Sequence, residues 1–252
     1  MSGPAGDSIV FDRIADSYDD TRGGMERGRV VAAALHPMLP PAGTLLEIGI
    51  GTGLVAAALT ELGRSPVGVD LSRPMLAHAR TRVPGRLAVG DAELLPVATG
   101  AVAGAYLVHV LHLVGDLART LAEVVRVLRP GGRAVTTVYA HGPLTGDLHR
   151  EIDRVRSQLD ARKRPDDEAH VVERARAVGL EPVERHDLPG VGSSPRIAAD
   201  RLEARSLSWM WSVDEDAWTR YVPVALERLR SLPDQDRVRP GPGPTLLAFT
   251  RP

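Results

Sequence analysis

Two hydrophobic periods divide this chain between strands and helices. From Thr44 onward, Leu45, Leu46, Ile48 and Ile50 form a near-continuous apolar run interrupted only by Glu47, the pattern of a short strand covered on both faces. Gly49, Gly51 and Gly53 then occupy alternate positions, and Leu54, Val55, Ala58, Leu59 and Leu62 return at helical spacing until Gly63 ends the run. The stretch is therefore predicted to be strand, glycine turn, helix. A turn lacking Cβ atoms lets backbone reach contact distance of a ligand, and the first turn of the helix offers N–H groups with no partner in the helix. The chemistry this favours is a small-molecule cofactor site.

The same two periods order the rest. Phe11, Ile14, Ala15 and Tyr18 sit at helical spacing before Gly23-Gly24, which predicts an amphipathic lid or docking helix. A helix from Met25 to about Leu39 is stopped by Pro40-Pro41. Strands are predicted at Pro66 to Asp70, Arg86 to Gly90, Val102 to Val110 and Arg133 to Tyr139. Between them lie a helix capped by Ser72 and another starting at Asp116, the latter closed at Arg129-Pro130-Gly131-Gly132. Five strands alternating with helices imply a doubly wound, mostly parallel α/β sheet with its ligand at the carboxyl ends of the strands. Asp70 lies about 20 residues beyond the glycines, the offset at which a carboxylate accepts from ribose hydroxyls. Helices are expected over 148–159, 168–178, 196–210 and 214–232, with strands over 181–188 and 244–250. Neither of the two helices between the last two strands reads as an obvious crossover helix packed on the sheet, so the final strand is expected to be antiparallel.

Composition narrows the function by exclusion. A chain of 252 residues with 43% hydrophobic and 25% charged residues suits one soluble domain spanning 1–252. The formal net charge of −1 removes the bulk electrostatic argument for nucleic acid. There is no Cys, and Lys163 is the sole lysine, so thiol chemistry, cysteine-bound zinc and the lysine-dependent phosphate loop are excluded. The eight His are scattered without metal-ligand spacing, and no metal is expected. The sequence has neither a long apolar span nor a leader-like start, and the expectation is a cytoplasmic protein without membrane association, monomer or homodimer. The mixed-sign run RKRPDDE (162–168) is read as a solvated turn.

A glycine turn after a strand also occurs in nicotinamide and flavin enzymes, but their third glycine is replaced here by Leu54, and Glu47 precedes the turn. Four blocks, FDRIADSYD (11–19), LLEIGIGTG (45–53), GDAELLP (90–96) and LVHVLHLVGD (107–116) running into LRPGG (128–132), together resemble the class I S-adenosylmethionine-dependent methyltransferases, in their small-molecule, ubiquinone-biosynthesis-like branch. The resemblance covers roughly residues 11–139 and implies a seven-stranded Rossmann-like sheet with helices inserted after strands five and six.

It also implies roles for individual residues. Gly49, Gly51 and Gly53 would pass along the methionine and ribose portions of S-adenosylmethionine, with Glu47 ordering the loop or reaching the amino group. Asp70 would take the ribose hydroxyls, Leu71 and Met75 would flank the adenine, and Asp91 with the Ala92 N–H would read its edge. Val108 and His109 would border the methionine amino group, and Tyr18 and Arg22 would close over the cofactor from a lid spanning 1–40. The product would be S-adenosylhomocysteine. A base is needed only if the acceptor loses a proton, and His112 is the candidate, with His141 second. The acceptor, a small organic molecule methylated at oxygen, nitrogen or carbon, is expected against Tyr139, Trp209 and Trp211 and the helical segments 144–178 and 195–232. For the Trp residues, core packing or a dimer surface is the competing expectation. The alternatives in function are an RNA or protein methyltransferase, or an inactive cofactor-binding partner subunit.

Overall fold

The computed structural model describes residues 11–12, 15–19, 23–83, 85–139, 146–159, 166–190, 192–210, 213–241 and 243–252. Strands and helices follow in the order α1 (Gly24–Leu35), β1 (Leu45–Ile48), α2 (Leu54–Glu61), β2 (Pro66–Asp70), α3 (Arg73–Arg82), β3 (Leu87–Val89), β4 (Val102–Leu107), α4 (Leu117–Val127), β5 (Leu128–Val138), α5 (Asp147–Leu159), α6 (Glu168–Ala177), β6 (Glu181–Asp187), α7 (Pro195–Glu203), α8 (Glu215–Ser231) and β7 (Thr245–Thr250). They form two compact units, one of residues 1–140, 165–188 and 245–252, the other of residues 141–164 and 189–244.

The first unit carries a seven-stranded sheet in the order β3-β2-β1-β4-β5-β7-β6. The strands from β3 to β5 run parallel, while β7 is antiparallel to both β5 and β6. The order reverses direction between β1 and β4, the point at which a doubly wound sheet opens a crevice at its strand ends. All four residues of β1 are buried, as its apolar run requires. Leu45 joins Val31, Leu35, Leu59 and Tyr106 on one face, whereas Leu46 and Ile48 join Val124, Leu128 and Phe249 on the other. Helices α1 and α2 thus supply one layer and α4 the opposite one.

The second unit holds α5, α7 and α8 around Leu148, Val155, Leu202, Val222 and Leu229. Ser194 and Asp214 cap α7 and α8 by accepting backbone N–H groups. Arg239 grips the first residue of α5, donating from Nε to Asp147 Oδ1 at 2.8 Å and from Nη2 to Oδ2 at 3.0 Å.

Three boundaries differ from expectation for local reasons. β5 begins at Leu128, taking in the Arg-Pro-Gly-Gly stop, because the register jumps between Val102 and Gly104 and the Gly131 N–H finds the Arg251 carbonyl at 2.8 Å. β4 ends at Leu107 and not at Val110, since His109 takes a left-handed φ of 58° that no strand accommodates. The helix expected over 196–210 stops at Glu203, where Arg205 has φ 47°, and resumes only as a turn of 3-10 helix at Ser208–Met210.

Candidate functional site

Where β1 and β2 end side by side, the glycine turn and Asp70 make one device. Asp70 Oδ2 accepts the Gly51 N–H at 2.7 Å and Oδ1 accepts the Ser72 N–H at 2.8 Å. Burial pushes the Asp70 carboxyl above its ordinary range, partly offset by the N–H groups of Ser72, Gly51 and Leu71, and Asp12 adds to the upward push. Each oxygen keeps lone-pair capacity for a further donor, such as a hydroxyl. Gly51 has φ 56° and nothing within 4 Å of where a Cβ would stand, so its backbone faces open space. Gly49, at φ 73°, instead lies so close to Val110 that a Cβ would overlap Val110 Cγ2.

Further in, Glu47 is 2% exposed, and Tyr106, wholly buried, donates its hydroxyl to Glu47 Oε2 at 3.1 Å. Burial lifts the Glu47 carboxyl to about 8 against the lowering effect of that hydrogen bond, with Asp70 raising it further. The desolvation cost of a charged carboxylate in such a place favours the protonated form.

The N-terminal segment is fastened to this turn by its acids. Asp19 accepts from Thr52 Oγ1 at 2.6 Å and from Arg82 Nη2 at 2.6 Å, while Arg82 Nη1 donates to the Thr52 carbonyl at 2.7 Å. Ser72 Oγ donates to Asp12 at 2.5 Å and accepts the Met75 N–H, capping α3. These ties carry Phe11 and Tyr18 to the cleft wall.

The β4–β5 end is made of side chains. The His109 N–H donates to Thr137 Oγ1 at 2.7 Å, which anchors its left-handed backbone. Arg27 Nη2 lies 2.6 Å from His109 Nε2, and Tyr139 Oη lies 3.3 Å from Nδ1. A guanidinium has only donors, so Nε2 accepts and Nδ1 carries the proton toward Tyr139. His112 sits in a turn closed by the Leu113 N–H on the Val110 carbonyl at 2.8 Å, and its Nδ1 is 3.7 Å from Asp166 Oδ2.

One cleft gathers most of the residues expected to hold a cofactor: Tyr18, Gly49, Gly51, Asp70, Leu71 and Met75, together with Asp91, Ala92, Val108 and His109. Asp91 is held by the Glu93 N–H on its Oδ1 at 2.9 Å. Glu47 lines an adjoining recess that shares Tyr18, Gly49, Gly51, Val108 and His109 with the first. Gly53 lines neither; a Cβ there would meet Ala79 at 3.2 Å, so it serves the close packing of α2 on α3. Arg22, His141 and Trp211 lie outside the described residues. Tyr139 belongs to the first unit and Trp209 to the second, where Trp209 packs on the helical core with Arg156 5.1 Å from its ring centroid.

Sequence reasoning missed Asp12, Asp19, Thr52, Arg27 and Asp166. The first two stood in a helical pattern in which acids pass for a solvated face; only their spacing beside Tyr18 hinted otherwise. The solvated reading of RKRPDDE fails at Asp166, which is 4% exposed because its carbonyl accepts the Tyr139 N–H at 2.9 Å and draws the chain against β5. Among the described residues no group of His, Asp or Glu is placed to hold a metal, and no helix is long and apolar enough to cross a membrane.

Residues 46–136 match the methyltransferase domain family. The ubiquinone/menaquinone biosynthesis C-methyltransferase of Desulfotalea psychrophila is 40% identical over 138 residues, 50% of this chain and 55% of that protein. In solved structures, a possible histamine N-methyltransferase from Thermotoga maritima superposes with a TM-score of 0.59 at 20% identity, covering 97% of this chain and 99% of that one. The geranyl diphosphate C-methyltransferase of Streptomyces coelicolor A3(2), solved with Mg2+, geranyl diphosphate and S-adenosyl-L-homocysteine, gives 0.52 at 19%, covering 88% and 78%. The chain spans less than two thirds of the length of the curated relatives it matches. Residues 46–136 thus match a methyltransferase domain, and the fold is the one that these solved methyltransferases share.

Proposed function

We propose that this protein transfers a methyl group from S-adenosylmethionine to a small organic acceptor at an oxygen, nitrogen or carbon centre. The observation that carries the reading is the Gly51–Asp70 device beside the switch point of the sheet: a glycine backbone facing open space and a partly buried carboxylate share one hydrogen bond at the cleft wall. The residues fit the group. Asp70 has acceptor capacity for the ribose hydroxyls, and open space above Gly51 admits a ligand against backbone. Leu71 and Met75 offer apolar surface to the adenine, and Asp91 and Ala92 supply an acceptor and an N–H for its edge. Glu47, Val108 and His109 stand toward the amino acid end, and Tyr18 covers the site from the N-terminal segment.

When bound, the cofactor supplies a methyl carbon already activated by its sulfonium. What the chain contributes is alignment, exclusion of water and, for an acidic acceptor, removal of a proton. Acceptor selectivity is assigned to Tyr139, whose hydroxyl lies 3.3 Å from Nδ1 of the cleft residue His109. Titration calorimetry with S-adenosylhomocysteine tests the cofactor assignment, with micromolar binding expected. Formation of S-adenosylhomocysteine from S-adenosylmethionine across a panel of phenols, amines and prenyl diphosphates tests the transfer. Absence of binding rejects the reading. Binding with no turnover on the panel, combined with salt-dependent methylation of RNA, replaces the acceptor class.

A further inference from the structure

Asp166 is anomalous in this molecule. The carboxyls of buried Glu47 and partly buried Asp70 are served by donors, whereas Asp166 Oδ1 is buried with no hydrogen-bond partner. Leaving an acceptor of this kind stranded is costly, and more so when it is charged. Nor can the residue swing outward freely. Its carbonyl accepts the Tyr139 N–H at 2.9 Å, and the Glu168 N–H returns to the Tyr139 carbonyl at 3.2 Å, which pins the backbone beside the end of β5. The cation-forming group set against it is His112, with Nδ1 3.7 Å from Oδ2. His112 stands in the turn whose corners, Val110 and Leu113, line the cleft, and its side chain is 27% exposed.

We propose that Asp166 is the positioning residue for His112, and that the pair removes the proton of an acceptor hydroxyl or amine; this rests on the methyltransferase reading above. The separation is an ion-pair distance longer than a hydrogen bond, as is common for catalytic pairs without substrate, and it tightens as the imidazole takes up charge. With Nδ1–H directed at Asp166, Nε2 is the proton acceptor. The acceptor's proton moves to Nε2, and the electron pair of that bond stays on the heteroatom. That pair forms the new bond to the methyl carbon while the carbon–sulfur bond breaks toward sulfur. The imidazolium is balanced by Asp166 and returns its proton to water. His109 is built the opposite way: Arg27 donates to its Nε2, so a proton arriving there would meet a cation.

The test is the ring tautomer, read by long-range 1H–15N correlation at alkaline pH on the full chain labelled with 15N-histidine. Signals are assigned by their loss in His112→Gln. His112 is expected as the Nδ1–H tautomer in the wild type and to move toward Nε2–H in Asp166→Asn, with S-adenosylhomocysteine affinity held within about twofold. With any acceptor the panel reveals, Asp166→Asn is expected to lower kcat by about a hundredfold and leave KM unchanged. An Nε2–H tautomer in the wild type, or no change in Asp166→Asn, overturns the proposal. If Asp166→Asn does not fold, the wild-type tautomer decides it. Failure of the wild type to bind S-adenosylhomocysteine would instead remove the functional reading and leave the tautomer result intact.

Discussion

At the β1–β2 end of the sheet the groups facing the cleft are backbone N–H and partly or fully buried carboxyls, with Asp70 already joined to Gly51 and Ser72. At the β4–β5 end they are side chains: a strained His109 between Arg27 and Tyr139, and a His112 set against an acid with a stranded oxygen. The difference separates two jobs. A binding surface gains from groups fixed before the ligand arrives, because less order is lost on association. Proton transfer needs a group whose charge changes and a partner not yet fully committed.

Glu47 gives the largest test of the fixed half. Its carboxyl titrates at about 8 in the folded protein against an ordinary value of 4.5. The folded state therefore holds a proton that the unfolded state has lost. The stability this contributes is fully present below the unfolded value and falls by about 1.4 kcal/mol per pH unit as pH rises toward the folded one. Glu47→Gln removes that dependence. Urea denaturation from pH 5 to 8 is expected to show the variant gaining on the wild type at nearly that slope. Parallel curves would mean that Glu47 stays charged, supported by solvent or by a partner.

Next in size is Gly49→Ala. The residue must adopt φ 73° and would drive its Cβ into Val110, itself a wall of the cleft. Backbone strain of about 1–3 kcal/mol is expected in thermal denaturation, with S-adenosylhomocysteine binding weakened beyond a hundredfold. Binding retained within a few-fold would show that the turn can shift without harm and that it is not the fixed element. Asp70→Asn keeps the shape but turns one acceptor into a donor facing an N–H of Gly51 or Ser72. Losing charged acceptors to hydroxyls and amides is expected to cost roughly tenfold or more in affinity by calorimetry. The same substitution should leave the His112 tautomer unmoved, which checks that the two halves work independently.

These halves were unequally legible in the sequence. β1, its glycines and Asp70 lie close together along the chain and follow period and spacing, so their arrangement at one strand edge could be read directly. The parallel order followed from the alternation of strands and helices, and the antiparallel β7 from the lack of an obvious crossover helix packed on the sheet before it. His112 and Asp166, by contrast, are 54 residues apart, and nothing local distinguishes a buried Asp from its exposed neighbours in a charged run. Their meeting depends on the Tyr139–Asp166 backbone pairing, a long-range contact that periodicity does not encode. His109 was legible as a cleft residue, but not its left-handed backbone, which Thr137 and Arg27 impose from other elements.

The smallest effect is expected where the N-terminal segment meets the glycine turn, and there kinetics report more than stability. Asp19 joins Thr52 and Arg82 across partly exposed surface, its side chain 22% and that of Arg82 28% accessible. A pair so placed is worth about 1 kcal/mol or less, and Asp19→Asn should lower the denaturation midpoint only slightly. Asp19 follows Tyr18, however, which lines both recesses, so loosening the tie frees the cover over the bound ligand. Stopped-flow release of S-adenosylhomocysteine is expected to quicken a few-fold while the association rate holds. If both rates and the midpoint stay unchanged, contacts such as Asp12–Ser72 and Asp16–His78 fasten the segment without Asp19, whose ties are surplus to closure.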